Sequence, residues 1–397
     1  MDEEKIRQAL ILFPGSRRAA NGVIVGDEEG SFYITDFGPR DEELTPEEDF
    51  LVPFCAKKEI IRLRSLKTSH DYLLRLRAIT IADSSRLNRV MIERGKKFER
   101  GGRIWTLSGY YDTFNKYHRN YILKIPHKDR KALRSVPSGF VPLIEANAIC
   151  LKSVLGEVVI VSEALKYFYY YMTICLHGTR YGILPEDCVN AGLIGLRVMV
   201  GSEAQDFDID PRGILPKPVE AAIRQSVDAM VEFTYGHEYA HFLLGHLSSV
   251  AELRMADRNE DQIIYEHAFE YEADLHAIRV VTNRDYRSKL AVAAFNIFLY
   301  LYLIEFMAVE HSDVPNFAVS RTHPAPLDRL RNLRETLGNK DLPKRHELGM
   351  AIFEVRRMAS IILERIKASS RSDVLTAYGS VYMHGLGGKE RRDRIDY

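Results

Sequence analysis

Hydrophobic positions follow two different spacings along the chain. Short β-prone runs flank a turn rich in Gly and Asp within residues 22–34, which predicts a β-hairpin, and another strand is expected at 104–107. From about Val141 onward, apolar residues recur mostly at helical spacing. The pattern predicts an α+β fold that is mainly α-helical, with a smaller β-containing region at the N-terminus.

The C-terminal half carries start and stop signals for several helices. Pro218 and Glu220 suit a first turn, and the next break at Gly245 gives a helix of about 27 residues. Asn259 and Gln262 resemble a capping box that opens a second helix. Further breaks, several of them prolines, predict helices at 259–281, at 285–310, up to 338 and at 343–368, and a loose charged tail at 385–397.

These elements predict three regions: a mixed α/β region at 1–135, a mainly helical domain at 136–340, and a C-terminal helix and tail at 341–397. Residues 27–49 hold ten acidic and one basic side chain, whereas residues 86–134 hold fourteen basic and four acidic ones. The two blocks could face one another, form solvated surfaces or bind nucleic acid. We favour the first two interpretations over a nucleic-acid patch. Aromatic residues in the basic block suit base stacking but also a core-facing helix, namely Tyr110, Tyr111, Phe114, Tyr117 and Tyr121.

Composition narrows the function classes. The 397 residues carry 55 basic and 55 acidic side chains, so no net charge attracts nucleic acid or anionic lipid. The four cysteines form no CxxC pair and are expected to be reduced, mostly buried thiols. The apolar run at 9–13 is too short for a secretion signal, and the one at 290–304 is shorter than the roughly 18 residues of a membrane span. We therefore expect a cytoplasmic protein without integral membrane association.

The first long helix contains an HExxH motif, since residues 237–241 are His-Glu-Tyr-Ala-His. Two histidines four residues apart lie on one helix face, so both imidazoles can reach one cation while the carboxylate between them lies beside its bound water. Val227, Met230 and Thr234 share that stripe, which predicts that the motif is buried. Buried imidazoles and a buried carboxylate are costly without partners, so we favour a metal over a pair of core histidines.

A catalytic zinc needs a third protein ligand and an open position for water. Glu270 and Asp274 lie one helical turn apart and share a face with Ala277, so this carboxylate pair is expected to point inward. Glu270 is the favoured ligand, and His267 on the same face is its competitor. His246 is displaced by one residue from the third histidine of a metzincin motif, and we expect it to contact the last carbonyls of its helix.

HExxH followed by Glu-x-x-x-Asp is the pattern of gluzincins, and residues 270–274 resemble the form found in HtpX-type, OMA-type and CAAX prenyl endopeptidases. Residues 322–324, Thr-His-Pro, together with Arg329 are similar to a segment that follows in that group. The resemblance covers roughly residues 220–330. It implies a zincin-like catalytic domain with one Zn²⁺, and it assigns His237, His241 and Glu270 as ligands, Glu238 as the base and Asp274 as a residue that supports the ligands. Those relatives are largely membrane-embedded, whereas this chain lacks convincing membrane spans, so a prenylated or membrane-buried substrate is not implied here.

The predicted function is a soluble intracellular zinc-dependent endopeptidase that acts on a protein or peptide, with a stress or defence role left open. Glu238 would take a proton from the zinc-activated water as it attacks the scissile carbonyl. His323 is the candidate oxyanion donor, with Arg329 and Tyr235 as rivals, and anchoring of its loop on Asp274 is an equal alternative role for His323. Two other functions compete: a non-catalytic metal-binding sensor or regulator that contacts nucleic acid through its basic N-terminal segment, and a hydrolase of a non-peptide amide.

Overall fold

The computed structural model describes the chain except for residues 1–2, 20–21, 27–30, 35–42, 248–259, 312–313, 315–322, 338–341, 370–373, 377–378 and 390–397. It is 63% helical with small sheets, which confirms the mainly helical α+β class. The chain forms two compact units, Met1–Pro53 and Phe54–Tyr397. The boundary expected from the sequence at 135/136 lies inside the second unit.

The first unit combines helices with a three-stranded antiparallel sheet. Its elements are α1 (Glu3–Leu12), β1 (Arg17–Ala19), β2 (Gly22–Gly26), β3 (Ser31–Ile34) and α2 (Pro46–Asp49). Strand β2 lies between β1 and β3 and pairs with both, so the hairpin predicted at 22–34 is confirmed. Ile6 and Ala9 of α1 pack on Val23 of β2 to form a small core.

The second unit begins with helices and then adds another three-stranded sheet. The helices are α3 (Lys57–Leu63), α4 (Ser69–Ala82), α5 (Ser85–Arg100), α6 (Leu107–Asp112), α7 (Lys116–Ile122) and α8 (His127–Leu133). The strands are β4 (Ser138–Val141), β5 (Ala148–Ser153) and β6 (Gly156–Ser162). Their order is β4-β6-β5, with β4 parallel and β5 antiparallel to β6. Leu73 of α4 packs on Val141, Val158 and Ile160 to cover one side of this sheet.

One prediction from the sequence is wrong in this part of the chain, and another did not include a hairpin. Residues 104–106 form no strand; instead, Thr106 caps α6 by accepting a hydrogen bond from the backbone N–H of Gly109 at 2.9 Å. The mainly helical region expected after Val141 begins with the β5–β6 hairpin. Residues 158–162 of β6 are all buried, so the strand lacks the apolar-polar alternation that identifies a half-buried strand.

Ten of the fourteen basic side chains in the block at 86–134 are exposed, and Arg94 is the one that is buried. Arg94 is buried and donates a hydrogen bond to Glu163 at 2.9 Å, and Lys97 donates to the backbone carbonyl of Asp208 at 2.6 Å. The aromatic residues favour the core-facing alternative, because four of them are buried, namely Tyr110, Tyr111, Tyr117 and Tyr121.

The remaining helices surround one central helix. They are α9 (Glu163–His177), α10 (Pro185–Met199), α11 (Lys217–Leu243), α12 (Glu260–Arg279), α13 (Arg284–Ala308), α14 (Pro326–Leu337) and α15 (Arg345–Lys367), with short 3-10 turns at Gly178–Tyr181 and His384–Leu386. Helix α11 packs against α7, α9, α12, α13 and the strands β5 and β6. Every residue of α11 from Ala229 to Ala240 is therefore buried.

The predicted helices of the C-terminal half are confirmed to within a few residues at their ends. The capping box at Asn259 lies outside the described residues. The expectation of a loose tail is wrong for 385–389, because the backbone N–H of Ile214 donates to the carbonyl of Leu386 at 2.7 Å; residues 390–397 are not described. The cysteines are buried free thiols as predicted, at positions 55, 150, 175 and 188.

Helix α13 is long and apolar enough to cross a membrane by length and composition alone. In the structure, 72% of its most apolar 18-residue window is buried inside the protein. The helix continues past the apolar run at 290–304 to Ala308. Its burial is that of a core helix, which is the interpretation that the sequence favoured.

Gly236 allows a close approach between α11 and α7. A Cβ atom built at Gly236 would lie 2.4 Å from Cε2 of Tyr121, whose ring is buried. The hydroxyl of Tyr121 donates a hydrogen bond to the backbone carbonyl of Ala277 in α12 at 2.9 Å. The missing side chain thus lets Tyr121 brace the two helices that carry the predicted metal ligands.

Gly236→Ala is expected to lower the free energy of unfolding by about 1–3 kcal/mol, because overpacking against a fixed ring outweighs the gain in helix propensity. Gly349→Ala is the matched control: Gly349 lies in α15 with nothing within 4 Å of an added Cβ, so this change should stabilise by up to about 1 kcal/mol. Urea denaturation measures both variants. Stabilisation by both substitutions would contradict the close contact.

Candidate metal centre

The HExxH motif lies in the last two turns of α11, and its neighbour α12 carries the predicted carboxylates. His237 and Glu238 are each 7% exposed, and His241 is half-buried. Glu270 and Asp274 are buried, as the shared helix face predicted. Because α11 and α12 pack side by side, the carboxylate of Glu270 faces both imidazoles.

The structure brings the three predicted ligands together. Nε2 of His237 lies 3.1 Å from Nε2 of His241. The carboxylate of Glu270 spans the pair, with Oε2 3.4 Å from His237 Nε2 and Oε1 3.4 Å from His241 Nε2. Among the described residues, these three form the group that could hold a metal ion, and His267 is not part of it.

These donors fit a zinc ion. In a tetrahedral site with metal–ligand distances of about 2.0–2.2 Å, neighbouring ligand atoms lie roughly 3.3–3.6 Å apart, close to the separations between these three side chains. Two imidazoles and one carboxylate are also a donor set that zinc accepts in catalytic sites. Glu270 and Asp274 bring two negative charges against the one positive charge of Arg329, so the site favours a cation.

Asp274 supports His237 on the side away from the metal position. Its Oδ1 lies 2.9 Å from Nδ1 of His237, and it is fully buried. Arg329 of α14 donates two hydrogen bonds to the same carboxylate, from Nε to Oδ2 at 2.8 Å and from a terminal nitrogen to Oδ1 at 2.6 Å. The guanidinium lies 4.6 Å above the ring of Phe298. Arg329 is thus committed to Asp274, which makes it a poor candidate for the oxyanion donor.

The electrostatics of the metal-free site follow from these contacts. Burial alone would lower the pKa of His237, but the nearby carboxylates of Asp274 and Glu270 outweigh it and raise this pKa to about 10. Burial alone would raise the pKa of Glu270, but His237, His241 and His323 hold it well below its usual range. The pKa of Asp274 is also lowered against the effect of burial, chiefly by Arg329. Without a metal, His237 therefore carries a second ring proton and a positive charge, and a bound metal ion would take the place of this proton.

His323 contacts Glu270, whereas one of its predicted roles was to anchor its loop on Asp274. Its Nδ1 lies 3.0 Å from Oε2 of Glu270, and 53% of its side chain is exposed. The structure does not bring Tyr235, another predicted rival, to the ligands: its buried ring packs 6.1 Å from Phe140 of the sheet. His323 is therefore the predicted oxyanion donor that lies at the ligand group with an exposed side.

His246 is a contact residue of the site that the sequence analysis missed. It was expected to meet the last carbonyls of α11, but its Nδ1 lies 3.0 Å from Nδ1 of His241. Its Nε2 lies 3.3 Å from Oε2 of Glu272, and its ring stacks on Phe269 at 4.2 Å. Gly245 was the signal in the sequence that could have indicated this contact. Its left-handed φ of 77° ends α11 and turns the next residue back toward His241.

Comparison with protein families supports a peptidase. Residues 219–348 match the model of a family described as Peptidase U49, and the matched segment runs from α11 through α14 into α15. The segment therefore contains every residue of the candidate metal centre. Comparison with curated proteins and with solved structures gives no match.

Asp274→Asn is expected to lower the free energy of unfolding of the metal-free protein by about 3–5 kcal/mol, because Arg329 stays buried without its main charge partner. Asp328→Asn is the control, since the pair of Asp328 with Arg331 is exposed and should be worth no more than about 1 kcal/mol. Urea denaturation in the presence of a chelator measures both. Equal losses in the two variants would contradict a buried charge network at Asp274.

Proposed function

We propose that the chain is a zinc-dependent endopeptidase with a gluzincin arrangement, in which His237, His241 and Glu270 hold one Zn²⁺. The match to a peptidase family over residues 219–348 supports the reaction class. The donor set and its spacing support zinc as the metal. The substrate is a protein or peptide.

One observation carries the catalytic proposal, and it concerns Glu238. Its side chain is largely buried between the two histidine ligands in sequence, yet it has no hydrogen bond or ion pair with any residue that the structure describes. A carboxylate that lies beside two ligand histidines and is not engaged by another described side chain is placed to act on a bound water molecule. A purely structural metal site does not require a carboxylate in the position of Glu238, whereas hydrolysis requires a base beside the metal.

The side chains divide the proposed reaction between them. A bound zinc ion would supply Lewis acidity, which polarises the scissile carbonyl and lowers the pKa of a water molecule to near 7. Glu238 accepts a proton from the attacking water as the new carbon–oxygen bond forms. It returns this proton to the leaving nitrogen as the carbon–nitrogen bond breaks, so the products are a carboxylic acid and an amine; the acid then passes its proton to the amine, which leaves a carboxylate and an ammonium group. His323 donates a hydrogen bond to the oxyanion from its exposed side.

Substrate selection is assigned to the part of the chain outside the matched segment. The family match begins at residue 219, so it does not include the sheet or the helices that precede α11. We therefore propose that the region predicted at 1–135 selects the substrate or restrains the site. Specificity arises in cleft walls and loops, and these vary among enzymes that share one metal chemistry.

Glu238→Gln is expected to keep about one zinc per chain and to cleave about 10²–10⁴-fold more slowly, because the amide cannot accept the proton. Metal analysis and cleavage of a mixture of unfolded proteins measure the two properties. Glu354→Gln, which changes an exposed residue of α15, is the control and should match the unsubstituted protein in both. A Glu238→Gln protein that cleaves at the full rate would overturn the proposed role.

Removal of the metal with a chelator should abolish cleavage, and added zinc should restore it. Zinc at one hundred times its dissociation constant should also raise the free energy of unfolding by about 2.7 kcal/mol, because it binds the folded state alone. His241→Ala should lose both responses, whereas His346→Ala, at an exposed position of α15, should keep them. Cleavage that survives full removal of zinc would contradict the metal mechanism.

A further inference from the structure

We propose that His246 is a positioning residue of the metal centre: it holds His241 through the ring nitrogen that does not face the metal, and Glu272 in turn holds His246. This inference rests on the proposed zinc site. It concerns a residue beyond the motif residues, and nothing in the HExxH or Glu-x-x-x-Asp pattern includes it. The two contacts that carry it are the 3.0 Å separation of the His241 and His246 Nδ1 atoms and the 3.3 Å separation of His246 Nε2 from Glu272 Oε2.

The chain is shaped to make the first of these contacts. The backbone N–H of Leu244 donates to the carbonyl of Ala240 at 2.9 Å, which completes the last turn of α11. Gly245 then takes a left-handed conformation, and His246 returns toward the helix end with only 3% of its surface exposed. The stacked ring of Phe269, 4.2 Å away and tilted by 20°, holds the plane of the imidazole. His246 is therefore a fixed side chain and not a surface residue that happens to approach.

Metal binding would determine the proton positions along these three side chains. A ligand histidine that uses its Nε2 lone pair carries its proton on Nδ1. Nδ1–H of His241 then donates to Nδ1 of His246, which can accept only if the proton of His246 is on Nε2. That Nε2–H is placed to donate to the carboxylate of Glu272. One tautomer of each ring satisfies every contact, and the opposite tautomer of His246 would set two donors against each other.

The two ligand histidines therefore have different partners at their Nδ1 atoms, which face away from the metal position. His237 is backed by Asp274, a buried carboxylate fixed by Arg329. Nδ1 of His241 contacts the neutral imidazole of His246, and the partner of His246 is Glu272, whose side chain is 58% exposed. A neutral acceptor adds little negative charge to the ligand, so the contribution of His246 is orientation of the ring and choice of its tautomer.

A packing role for His246 would make a different demand on the side chain. Packing requires only a flat ring against Phe269, whereas positioning requires an acceptor at Nδ1. His246→Phe keeps the ring and removes the acceptor, and His246→Asn removes the ring but keeps an amide oxygen close to the position of Nδ1. The two substitutions therefore separate the roles. His118→Phe is the matched control, because His118 packs near Tyr235 of α11 without contacting a ligand.

The test measures zinc affinity by competition with a chromophoric chelator, the visible absorption spectrum of the Co²⁺-substituted protein, and urea unfolding of the metal-free protein. His246→Phe should weaken zinc binding about tenfold to a hundredfold and change the Co²⁺ spectrum, while metal-free unfolding stays close to that of the unsubstituted protein. His246→Asn should recover most of the affinity. Glu272→Ala should cause a smaller loss than His246→Phe, and His118→Phe should leave affinity and spectrum unchanged.

Each other result overturns the inference in a recognisable way. If the unsubstituted protein binds no zinc, the proposed function fails and the role of His246 fails with it. If it binds one zinc and His246→Phe binds equally well with the same Co²⁺ spectrum, the role of His246 fails while the proposed function stands. If the phenylalanine variant keeps its affinity and the asparagine variant loses it, the ring matters only for packing.

Discussion

The arrangement of the site depends on the contacts that the carboxylate of Asp274 makes with His237 and Arg329. This carboxylate is fully buried, and three helices supply its surroundings: His237 from α11, Arg329 from α14 and Asp274 itself from α12. An isolated carboxylate in the interior would be very unfavourable, so these helices must meet at this point for the fold to be stable. The orientation of the HExxH helix is thus determined by a charge contact as well as by apolar packing.

Helix α11 is unusual in that a stretch of it is enclosed on all sides. Its burial between a sheet and several helices means that the ligands are carried by rigid elements and not by loops, which favours precise metal geometry. The enclosure is uneven around the site, however. The side chain of His237 is only 9% exposed, whereas that of His323 is 53% exposed. Among the described residues, the ligand group is therefore more open on the side of His323 than on the side of Asp274.

The sequence predicted those parts of the structure that local patterns encode. The limits of α11 follow from Pro218 and Gly245, and the i, i+4 spacing of the ligands and of the carboxylate pair follows from helix geometry alone. The partners of these residues were harder to predict. Arg329 binds Asp274 across 55 positions and His246 meets Glu272 across 26, and such pairs depend on how helices pack, which no local periodicity reports. The β5–β6 hairpin was not predicted for a related reason. Strand β6 is buried on both faces, so apolar and polar residues do not alternate along it.

The order of the elements along the chain has a consequence for biosynthesis. The polypeptide is made from its N-terminus, so both histidines and the glutamate leave the ribosome before Arg329 does. Until that guanidinium is available, Asp274 lacks the two hydrogen bonds that Arg329 donates, and its negative charge faces His237 alone. A growing chain therefore carries the HExxH motif and Asp274 before it carries Arg329, the residue that holds Asp274 in place.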